Sequence, residues 1–357
     1  MRERRSRRRR GIGIVAVTFG AAISLCRLGE SFAPSLPPLL LHHSKFNFLH
    51  VASPTDTEPG NESYSNADSD EKVEQTEQRH LRFSGVGRLY SSGTEESPTA
   101  HLDIVDKLAA STCAVFGIGG VGGWAAEALC RSGVGHMILV DMDEVCISNV
   151  NRQLHATTST IGKSKIHEME RRLLDINPNL NSTTIFDFVT LDNVDEIMGL
   201  LPPDCILLDC IDGQREKAAL IVACYERGMP VVTCGGAAGR KDPTKIACDD
   251  ITLAQEDRLL FRCRKLLRKE YGWPKGPAQG EKNNHRVKPW GIPAVFSTEI
   301  QKSVDQSAAA AVGSLRRCDG ALGTACYLTG TYGFVAASRV IDMIAEDKRV
   351  IPVKPNR

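Results

Sequence analysis

The sequence GIGGVGGWAAEALCRSGVG, residues 117–135, directly follows the apolar run CAVF at residues 113–116. Within it, Gly117, Gly119 and Gly122 have the G-x-G-x-x-G spacing, and a helical pattern follows them. Glycines at this spacing allow a tight turn, a close approach of the backbone to phosphate and close packing of a helix on a strand. The stretch therefore predicts a strand, a phosphate-binding loop and a helix, and it leaves open whether the ligand is a dinucleotide or ATP.

Short aliphatic runs alternate with helical segments from residue 113 to residue 234, and we expect the alternation to stop after Gly235. This spacing predicts an α/β protein with a Rossmann-like, doubly wound and mostly parallel sheet, followed by a basic, substrate-binding C-terminal extension. In such sheets ligands bind beyond the carboxyl ends of the strands, so residues just after each strand are the candidates for chemistry. The predicted strands are residues 113–117, 136–141, 183–188, 205–210 and 230–234, and the predicted helices are residues 122–132, 163–175, 190–200 and 213–228.

The 357-residue chain has a formal net charge of +1, but its charge is unevenly distributed. Residues 1–10 hold seven arginines and residues 55–80 are acidic, so the remainder of the chain is close to neutral. A uniformly basic surface is therefore excluded, and any nucleic-acid surface must be a local patch. The twelve cysteines include no C-x-x-C pair, which argues against a zinc ribbon and favours a reducing compartment without disulfides.

The first 50 residues have the composition of a targeting presequence. A basic start precedes the apolar run 11–26, which has the length of a signal-peptide core and is short for a membrane span. The sequence around Phe32 resembles the cleavage junction of bipartite plastid presequences, so a plastid is favoured; a mitochondrial presequence and an uncleaved membrane anchor are the alternatives. Residues 51–80 are predicted to be a disordered acidic linker, and residues 81–350 the folded domain.

A strongly basic stretch spans residues 258–288, with ten lysines and arginines against two glutamates. Tyr271, Trp273 and Trp290 lie within it or beside it. One interpretation is a solvated amphipathic helix and loop. The other is a surface that contacts the phosphate backbone of a nucleic acid, for which interleaved cations and aromatic rings are suited.

The residues that follow the next strands decide which nucleotide the loop holds. Asp141 follows the second predicted strand, where a carboxylate would accept hydrogen bonds from a ribose in a dehydrogenase and in an ATP-binding enzyme alike. Arg152 and Lys165 come next; a nicotinamide site has no need of these cations, whereas they would stabilise charge on a triphosphate during displacement. Asp209 and Asp212 end another strand and are suited to hold Mg²⁺, so the set predicts ATP with Mg²⁺. The same cluster includes Asp143, Ser148, Asn149 and Gln153.

The order of motifs G-x-G-G-x-G, D-x-D-x-V-x-x-S-N-x-x-R-Q, lysine and D-x-x-D resembles the adenylating domain shared by ubiquitin-activating-type enzymes and bacterial sulfur-carrier adenylyltransferases. The resemblance implies that a substrate carboxylate attacks the α-phosphate of ATP, which forms an acyl-adenylate and pyrophosphate. It implies catalytic roles for Arg152 and Lys165 and an Mg²⁺ role for Asp212. Arg88 resembles the arginine that reaches the ATP of a neighbouring subunit, so a homodimer is implied. The nucleotide would also contact Gly117, Gly119, Gly120, Gly122, Asp141, Asp143, Asn149, Gln153 and Asp209.

Several segments closely resemble the tRNA threonylcarbamoyladenosine dehydratases, over nearly all of residues 81–345. This resemblance implies activation of the threonyl carboxylate attached to adenosine 37 of tRNA, followed by ring closure with loss of AMP. The nucleophile then belongs to the substrate, so no enzyme cysteine is required, and the basic stretch 258–288 fits a tRNA partner. The matching segments include RFSGVGRLY (82–90), NVNRQLHA (149–156), DINPN (175–179), VVTCGGAAGRKDPTKI (231–246) and VFSTE (295–299).

Other interpretations stay open at the level of sequence. One is an E1-like activating enzyme for a ubiquitin-like or sulfur-carrier protein, with Cys234 as its nucleophile; another is a dehydrogenase or a nucleotide-binding scaffold without catalysis. Several relatives carry a cysteine just before the Val-Phe-Ser-x-Glu motif, where this chain has Pro293 and Ala294, so a mechanism through that thiol is not expected. Asn149 has an alternative role as a helix cap, and Asp209 as a carboxylate that accepts backbone hydrogen bonds.

Overall fold

The computed structural model describes residues 64–91, 98–275, 289–300 and 322–355. The predicted presequence, residues 1–50, lies outside these ranges, as does the 276–288 part of the basic stretch. The strands are β1 (Thr112–Phe116), β2 (His136–Val140), β3 (Asn181–Ile185), β4 (Ile206–Asp209), β5 (Val231–Cys234), β6 (Ile246–Asp250) and β7 (Pro293–Ser297). The α-helices are α1 (Tyr64–Ser91), α2 (Ala100–Ala109), α3 (Gly122–Arg131), α4 (Lys165–Ile176), α5 (Val194–Gly199), α6 (Gln214–Arg227), α7 (Arg258–Lys269) and α8 (Cys326–Ala345).

The strands form one sheet in the order β3-β2-β1-β4-β5-β7-β6. All neighbouring pairs are parallel except β6 and β7. The chain moves outward from β1 in one direction through β2 and in the other through β4, so a crevice opens between these strands at their carboxyl ends. Phe116 pairs with Val140 on one side and with Asp209 on the other, which brings the three strand ends to one level. The expectation of a doubly wound, mostly parallel α/β sheet is confirmed.

The sheet continues beyond the point where the sequence pattern predicted its end. Each of the five predicted strands and four predicted helices is present, with bounds that differ by a few residues. The expectation that the alternation stops after Gly235 is wrong, because β7 pairs with β5 and β6 closes the edge. β7 is a short apolar run that begins with Pro293, a residue tolerated at the start of a strand. A long excursion through α7 separates β6 from β7 in the sequence, which hides their pairing.

The two faces of the sheet have separate cores, because successive side chains of a strand point to opposite faces. Val115 of β1 packs in a cluster with residues of α3, α4 and α8, whereas Phe116 packs with residues of α5, α6 and α7. Helix α8 lies directly against α3, since a Cβ atom at Gly333 would come within 2.7 Å of the Val121 carbonyl oxygen. Both faces are covered, as the hydrophobic strands require.

Helix α1 occupies part of the segment that was expected to be a disordered linker. Of residues 51–80, those from Tyr64 onward are helical, and residues 51–63 lie outside the described ranges. Arg79 and His80 both contact the Asp106 carboxylate of α2, and Phe83 is buried against Gly133. The composition of the segment predicted disorder because it lacks aliphatic residues; packing of its C-terminal half on the folded domain stabilises the helix instead.

Among the helices that the structure describes, none has the length and apolar character that a membrane crossing requires. The small-residue-rich C-terminal helix α8 is a core helix in which Leu328, Tyr332 and Ala336 are fully buried.

Candidate functional site

A cavity of about 540 Å³ lies at the carboxyl ends of β1, β2, β4 and β5, where the topology predicts a ligand. It brings together residues that are far apart in the sequence, from the glycine loop to the turn after β4. Among the residues singled out from the sequence, those that line it are Gly117, Gly119, Gly120, Asp141, Asp143, Arg152, Gln153, Lys165 and Asp212.

The glycines of the loop have two different structural roles. Gly117 has a φ of +87°, which a residue with a side chain rarely adopts, and it lines the cavity. Gly122 lies in the first turn of α3 and does not line the cavity; a Cβ atom there would lie 1.9 Å from the Gly117 carbonyl oxygen. Gly122 therefore allows the helix to approach the loop, and the cavity-facing glycines leave the backbone open to a phosphate.

Asp141 holds the glycine loop against the end of β2. Its Oδ2 accepts a hydrogen bond from Ile118 N at 2.7 Å, and its Oδ1 accepts one from Asp143 N at 2.8 Å. Burial raises the pKa of the carboxyl, and the nearby charge of Lys165 opposes that rise. A carboxylate has about four acceptor sites, so two bonds to the backbone leave capacity for the hydroxyls of a ribose.

Lys165 begins α4 and forms an ion pair within the cavity. Its Nζ lies 2.6 Å from Asp143 Oδ2, and its backbone N–H donates to the Asp143 carbonyl oxygen at 3.0 Å. The lysine side chain is almost fully buried, whereas the aspartate side chain is half exposed. The ammonium is therefore fixed in direction and faces the cavity together with the charge that balances it.

Arg152 and Gln153 belong to a turn after β2 that Asn149 organises. Asn149 Oδ1 accepts a hydrogen bond from Cys146 N at 3.0 Å, so Asn149 caps a short 3₁₀ turn and does not line the cavity. Arg152 Nη1 donates to the Ser148 carbonyl oxygen at 2.6 Å, which holds the guanidinium at the cavity edge. Within the described residues, Asn149 Nδ2 and Gln153 Oε1 are buried without a hydrogen-bond partner. Of these two residues only Gln153 lines the cavity, so its unpartnered oxygen is suited to a polar ligand.

Asp209 does not belong to the cavity, which corrects its expected role as a nucleotide contact. Its side chain is fully buried, and its Oδ2 accepts hydrogen bonds from Lys217 Nζ and Thr233 Oγ1, both at 2.7 Å. Burial by itself would lower the pKa of Lys217. The charge of Asp209 and its hydrogen bond outweigh this effect, so the pKa is raised above its ordinary value. The pair lies beneath the turn that carries Asp212, and Asp209 Oδ1 also accepts from Ile211 N at 3.2 Å.

Two carboxylates line the cavity after β4, one in this turn and one at the start of α6. Asp212 is exposed and lines the cavity, as does Glu216 in the first turn of α6. Gly213 lies between them, and a Cβ atom there would come within 2.3 Å of Glu216 Oε2. No group of three or more His, Cys, Asp or Glu side chains suited to a metal ion occurs in the described part of the chain.

Several residues that line the cavity were not predicted from the sequence. Phe188 follows β3, residues 235–238 follow β5, and Leu259 lies in the first turn of α7. The rule that ligands bind beyond strand ends would have identified the first two groups, because β3 and β5 were predicted. The complete set that was missed is Val121, Val140, Asp187, Phe188, Val189, Cys210, Ile211, Gly213, Glu216, residues 235–238, Leu259, Thr324 and Thr329.

Cys234 lies below the floor of the cavity and is 2% exposed. Its Sγ lies 3.9 Å from Cys210 Sγ. The hydrogen bond from Cys210 and burial raise the pKa of the Cys234 thiol well above its ordinary value. A buried thiol with a raised pKa is a poor nucleophile, so this geometry does not favour a thioester on Cys234.

Helix α7 is amphipathic, with a basic outer face. Leu260, Cys263 and Leu267 are buried, and Leu259 reaches the cavity. The exposed cations, which we call the α7 basic face, are Arg258, Arg262, Lys265, Arg268 and Lys269. The interpretation as a solvated amphipathic helix is confirmed for α7, whereas contact of its cationic face with a nucleic acid stays a prediction. Arg88 is exposed on α1 and does not line the cavity of its own chain.

The ThiF family matches residues 92–351 of the chain. A tRNA threonylcarbamoyladenosine dehydratase of Haemophilus influenzae is 36% identical over 267 residues, which cover 75% of this chain and 94% of that protein. Its counterpart in Escherichia coli is 38% identical over 268 residues, which cover 73% of this chain and 92% of that protein. The crystal structure of the E. coli tRNA N6-threonylcarbamoyladenosine dehydratase in complex with ATP has a TM-score of 0.62 at 35% identity, over 75% of this chain and 96% of that one. With the family matching most of the chain and the fold shared with an ATP-bound relative, this protein belongs to the ThiF family.

Proposed function

We propose that this protein catalyses the ATP-dependent dehydration, by cyclisation, of N6-threonylcarbamoyladenosine at position 37 of tRNA. One observation carries the proposal: a cavity at the strand ends combines Asp141, Arg152 and the Lys165–Asp143 pair in a chain whose near relatives are named for this reaction. The structure of a relative with ATP supports ATP as the nucleotide.

The reaction proceeds in two steps. A carboxylate oxygen of the threonyl group attacks the α-phosphorus of ATP, the bond to the bridging oxygen breaks, and pyrophosphate leaves. Arg152 and Lys165 would stabilise the negative charge that develops on the phosphates. A nucleophile of the same modified base then attacks the acyl carbon and AMP leaves, so the base loses one water. Because both ends belong to one substrate, ring closure gains from proximity.

Magnesium would bind between Asp212, Glu216 and the phosphates. Mg²⁺ commonly uses one or two carboxylates plus substrate phosphates and keeps several waters, so two facing carboxylates fit it. Replacement of Asp212 with Asn should raise the Mg²⁺ concentration needed for half-maximal ATP binding by about tenfold. Calorimetric titration of ATP at a series of Mg²⁺ concentrations measures this shift, and an unchanged requirement would remove Asp212 from the metal site.

The tRNA would contact the α7 basic face, together with the part of the basic stretch 258–288 that lies outside the described residues. Each phosphate contact that a cation makes releases counterions, so binding weakens steeply with salt. Removing two charges, as in the variant Arg262→Ala with Lys265→Ala, should lower the slope of log affinity against log salt by roughly two. An unchanged slope would place the tRNA elsewhere.

A homodimer would bring Arg88 of one subunit to the ATP of the other. Support comes from exposed apolar side chains near the Arg152 turn, including Ile147, Val150 and Tyr327, since such surfaces often mark interfaces. Homodimers of Arg88→Ala and of Lys165→Ala should each have strongly reduced activity, and mixing the two variants should restore part of it. No recovery on mixing would assign Arg88 to its own subunit or to no site.

The segment 1–50 would direct the protein to an organelle, with a plastid favoured over a mitochondrion. The basic start and the short apolar run support import over stable membrane anchoring. A fluorescent protein fused behind residues 1–60 would report the destination. Fluorescence that stays with membranes after carbonate extraction would instead favour the anchor.

The decisive experiment for the reaction uses full-length protein, ATP, Mg²⁺ and tRNA that carries threonylcarbamoyladenosine. Nucleoside mass spectrometry should show the loss of one water, with AMP and pyrophosphate formed in equal amounts. ATP consumption with an unchanged nucleoside mass would show that the substrate is wrong. The alternative, activation of a carrier protein through Cys234, predicts a thioester adduct; because Cys234 is buried, Cys234→Ser should retain dehydration.

A further inference from the structure

Two chain segments form the end of the cavity that lies farthest from β3. One is residues 235–238 after β5, and the other is Leu259 in the first turn of α7. Between them lie Arg240 and Asp257, whose side chains are 1% and 0% exposed. None of the roles assigned so far uses this buried ion pair, although it adjoins both the cavity wall and the α7 basic face.

Asp257 joins the helix to the wall through one carboxylate. Its Oδ1 accepts a hydrogen bond from Leu260 N at 2.9 Å and so caps α7. Its Oδ2 accepts from Gly236 N at 3.0 Å and from Arg240 Nη2 at 3.4 Å. A movement of α7 would therefore pull directly on the backbone of Gly236, a residue that lines the cavity.

Arg240 also links the loop at Gly236 to the start of α7. Its Nη1 donates to the Gly236 carbonyl oxygen, and its Nη2 donates to the Glu256 carbonyl oxygen at 2.7 Å. Glu256 has a φ of +50°, a strained conformation for a residue with a side chain, and it immediately precedes the cap of α7. Gly235 approaches so closely that a Cβ atom there would lie 2.3 Å from Asp257 Oδ2. Loop and helix end are thus packed as one unit.

We propose that Arg240 and Asp257 are positioning residues that couple the binding of a polyanion on the α7 basic face to the cavity wall at Gly236. The inference rests on the proposed function, in which the polyanion is tRNA and its carboxylate must meet the α-phosphate in this cavity. The cations Arg258 and Arg262 lie on α7, the helix that Asp257 caps. A ligand that displaces α7 would therefore also displace Gly236, because Asp257 accepts hydrogen bonds from both Leu260 N and Gly236 N. Coupling of this kind is reciprocal, so tRNA should tighten the binding of ATP and ATP the binding of tRNA.

The variant Asp257→Asn tests the coupling, because its amide oxygen can still cap Leu260, whereas its amide nitrogen replaces the Oδ2 that accepts from Gly236 and Arg240. Calorimetry with a non-hydrolysable ATP analogue measures the nucleotide affinity with and without unmodified tRNA. In the wild type, tRNA should tighten analogue binding by about tenfold, a typical coupling. In Asp257→Asn the tightening should fall below about twofold, while each ligand alone binds within about twofold of wild type.

Arg264→Lys is the matched control. Arg264 is another arginine of α7, and its Nη1 donates to the Ile251 and Ala254 carbonyl oxygens at 2.7 and 3.0 Å and not to the Gly236 loop. The control should keep the full tightening. Arg240→Lys, which keeps the charge but loses the forked contact, should reproduce the loss and decides the matter if Asp257→Asn does not fold.

Equal tightening in the wild type and in the Asp257 or Arg240 variants would overturn the proposal, as would the absence of any tightening in the wild type. These outcomes depend on binding alone. They are therefore separate from the nucleoside mass assay, whose failure would overturn the proposed reaction and leave the coupling measurement intact.

Discussion

The Lys165 ammonium lies 2.6 Å from the Asp143 carboxylate at the start of α4, so the cation that faces the cavity is oriented before any ligand arrives. Replacement of Lys165 with Ala should lower kcat/KM by about 10²- to 10³-fold, the usual cost of removing one preorganised group that stabilises developing charge. The measurement is tRNA-dependent release of pyrophosphate.

Lys163→Ala serves as its control. Lys163 is exposed two residues earlier and lies 3.4 Å from Glu168 Oε1, outside the cavity. Its loss should change kcat/KM by less than about twofold, since exposed pairs contribute little. Equal effects of the two substitutions would show that general charge, and not the position of Lys165, matters.

Phe188 is a candidate platform for the adenine ring. It follows β3, it is 49% exposed, and it lines the same cavity as Asp141, the residue expected to bind the ribose. Stacking of a base on an aromatic ring contributes about 1–3 kcal/mol, so Phe188→Ala should weaken ATP binding by about tenfold. Phe186→Ala is the matched control, because Phe186 stacks on His167 and does not line the cavity. Equal weakening by both variants would contradict the stacking role.

The buried pair of Lys217 and Asp209 should dominate the stability of the turn that carries Asp212. Lys217→Met leaves the Asp209 charge buried without its partner and should lower the free energy of unfolding by about 3–5 kcal/mol. Arg227→Met, which breaks an exposed pair with Asp195 at 2.9 Å, should cost less than about 1 kcal/mol. Urea denaturation measures both values. A similar small cost for the two variants would mean that water or rearrangement replaces the buried contact.

His155 makes the stability depend on pH. Burial, followed by the charge of Lys165, lowers its pKa from the ordinary 6.5 to about 4, while Glu168 opposes and Arg172 supports this shift. In the unfolded chain the His155 imidazole binds a proton near pH 6.5, whereas in the folded protein it stays neutral down to about pH 4. The free energy of unfolding therefore decreases as the pH falls from 6.5 towards 4. Between pH 7 and pH 5, the wild type should lose roughly 2 kcal/mol more than His155→Gln.

The check is urea denaturation of both proteins at the two pH values, in which titrations common to both cancel. His167→Gln, a change at an exposed histidine of α4, should keep the wild-type dependence. If His155→Gln also keeps it, the buried imidazole does not control acid stability.

Local spacing in the sequence was enough to predict the core of the site. Gly117, Asp141 and Asp212 each lie just after the end of a strand, and parallel strands that alternate with helices bring those ends to one edge, whereas Lys165 begins α4 and was predicted from its charge and its place in the order of motifs. This prediction required neither the order of the strands in the sheet nor the hydrogen-bond partners of these side chains. The glycine loop and the acid after β2 therefore located the cavity before its shape was known.

Partners of buried charges depended on the tertiary structure. Asp209 has the same strand-end position as the cavity residues. Its carboxylate, however, forms a buried ion pair with Lys217, one full turn into α6, and does not line the cavity. The sequence marks Lys217 only as a polar residue in an apolar run, and whether such a charge is solvated or paired is decided by packing. The helix from Tyr64 likewise forms because it packs on the domain, although its composition predicted disorder.

By itself, the sequence determined the doubly wound class, the position of the nucleotide cavity and a minority of the residues that line it, because hydrophobic periodicity and glycine spacing act over a few neighbouring residues. Only the tertiary structure decided that β7 enters the sheet between β5 and β6, and that Asp257 joins α7 to Gly236. These contacts link segments separated by long stretches of chain, and their energies come from burial and hydrogen bonds that exist only after the chain has folded.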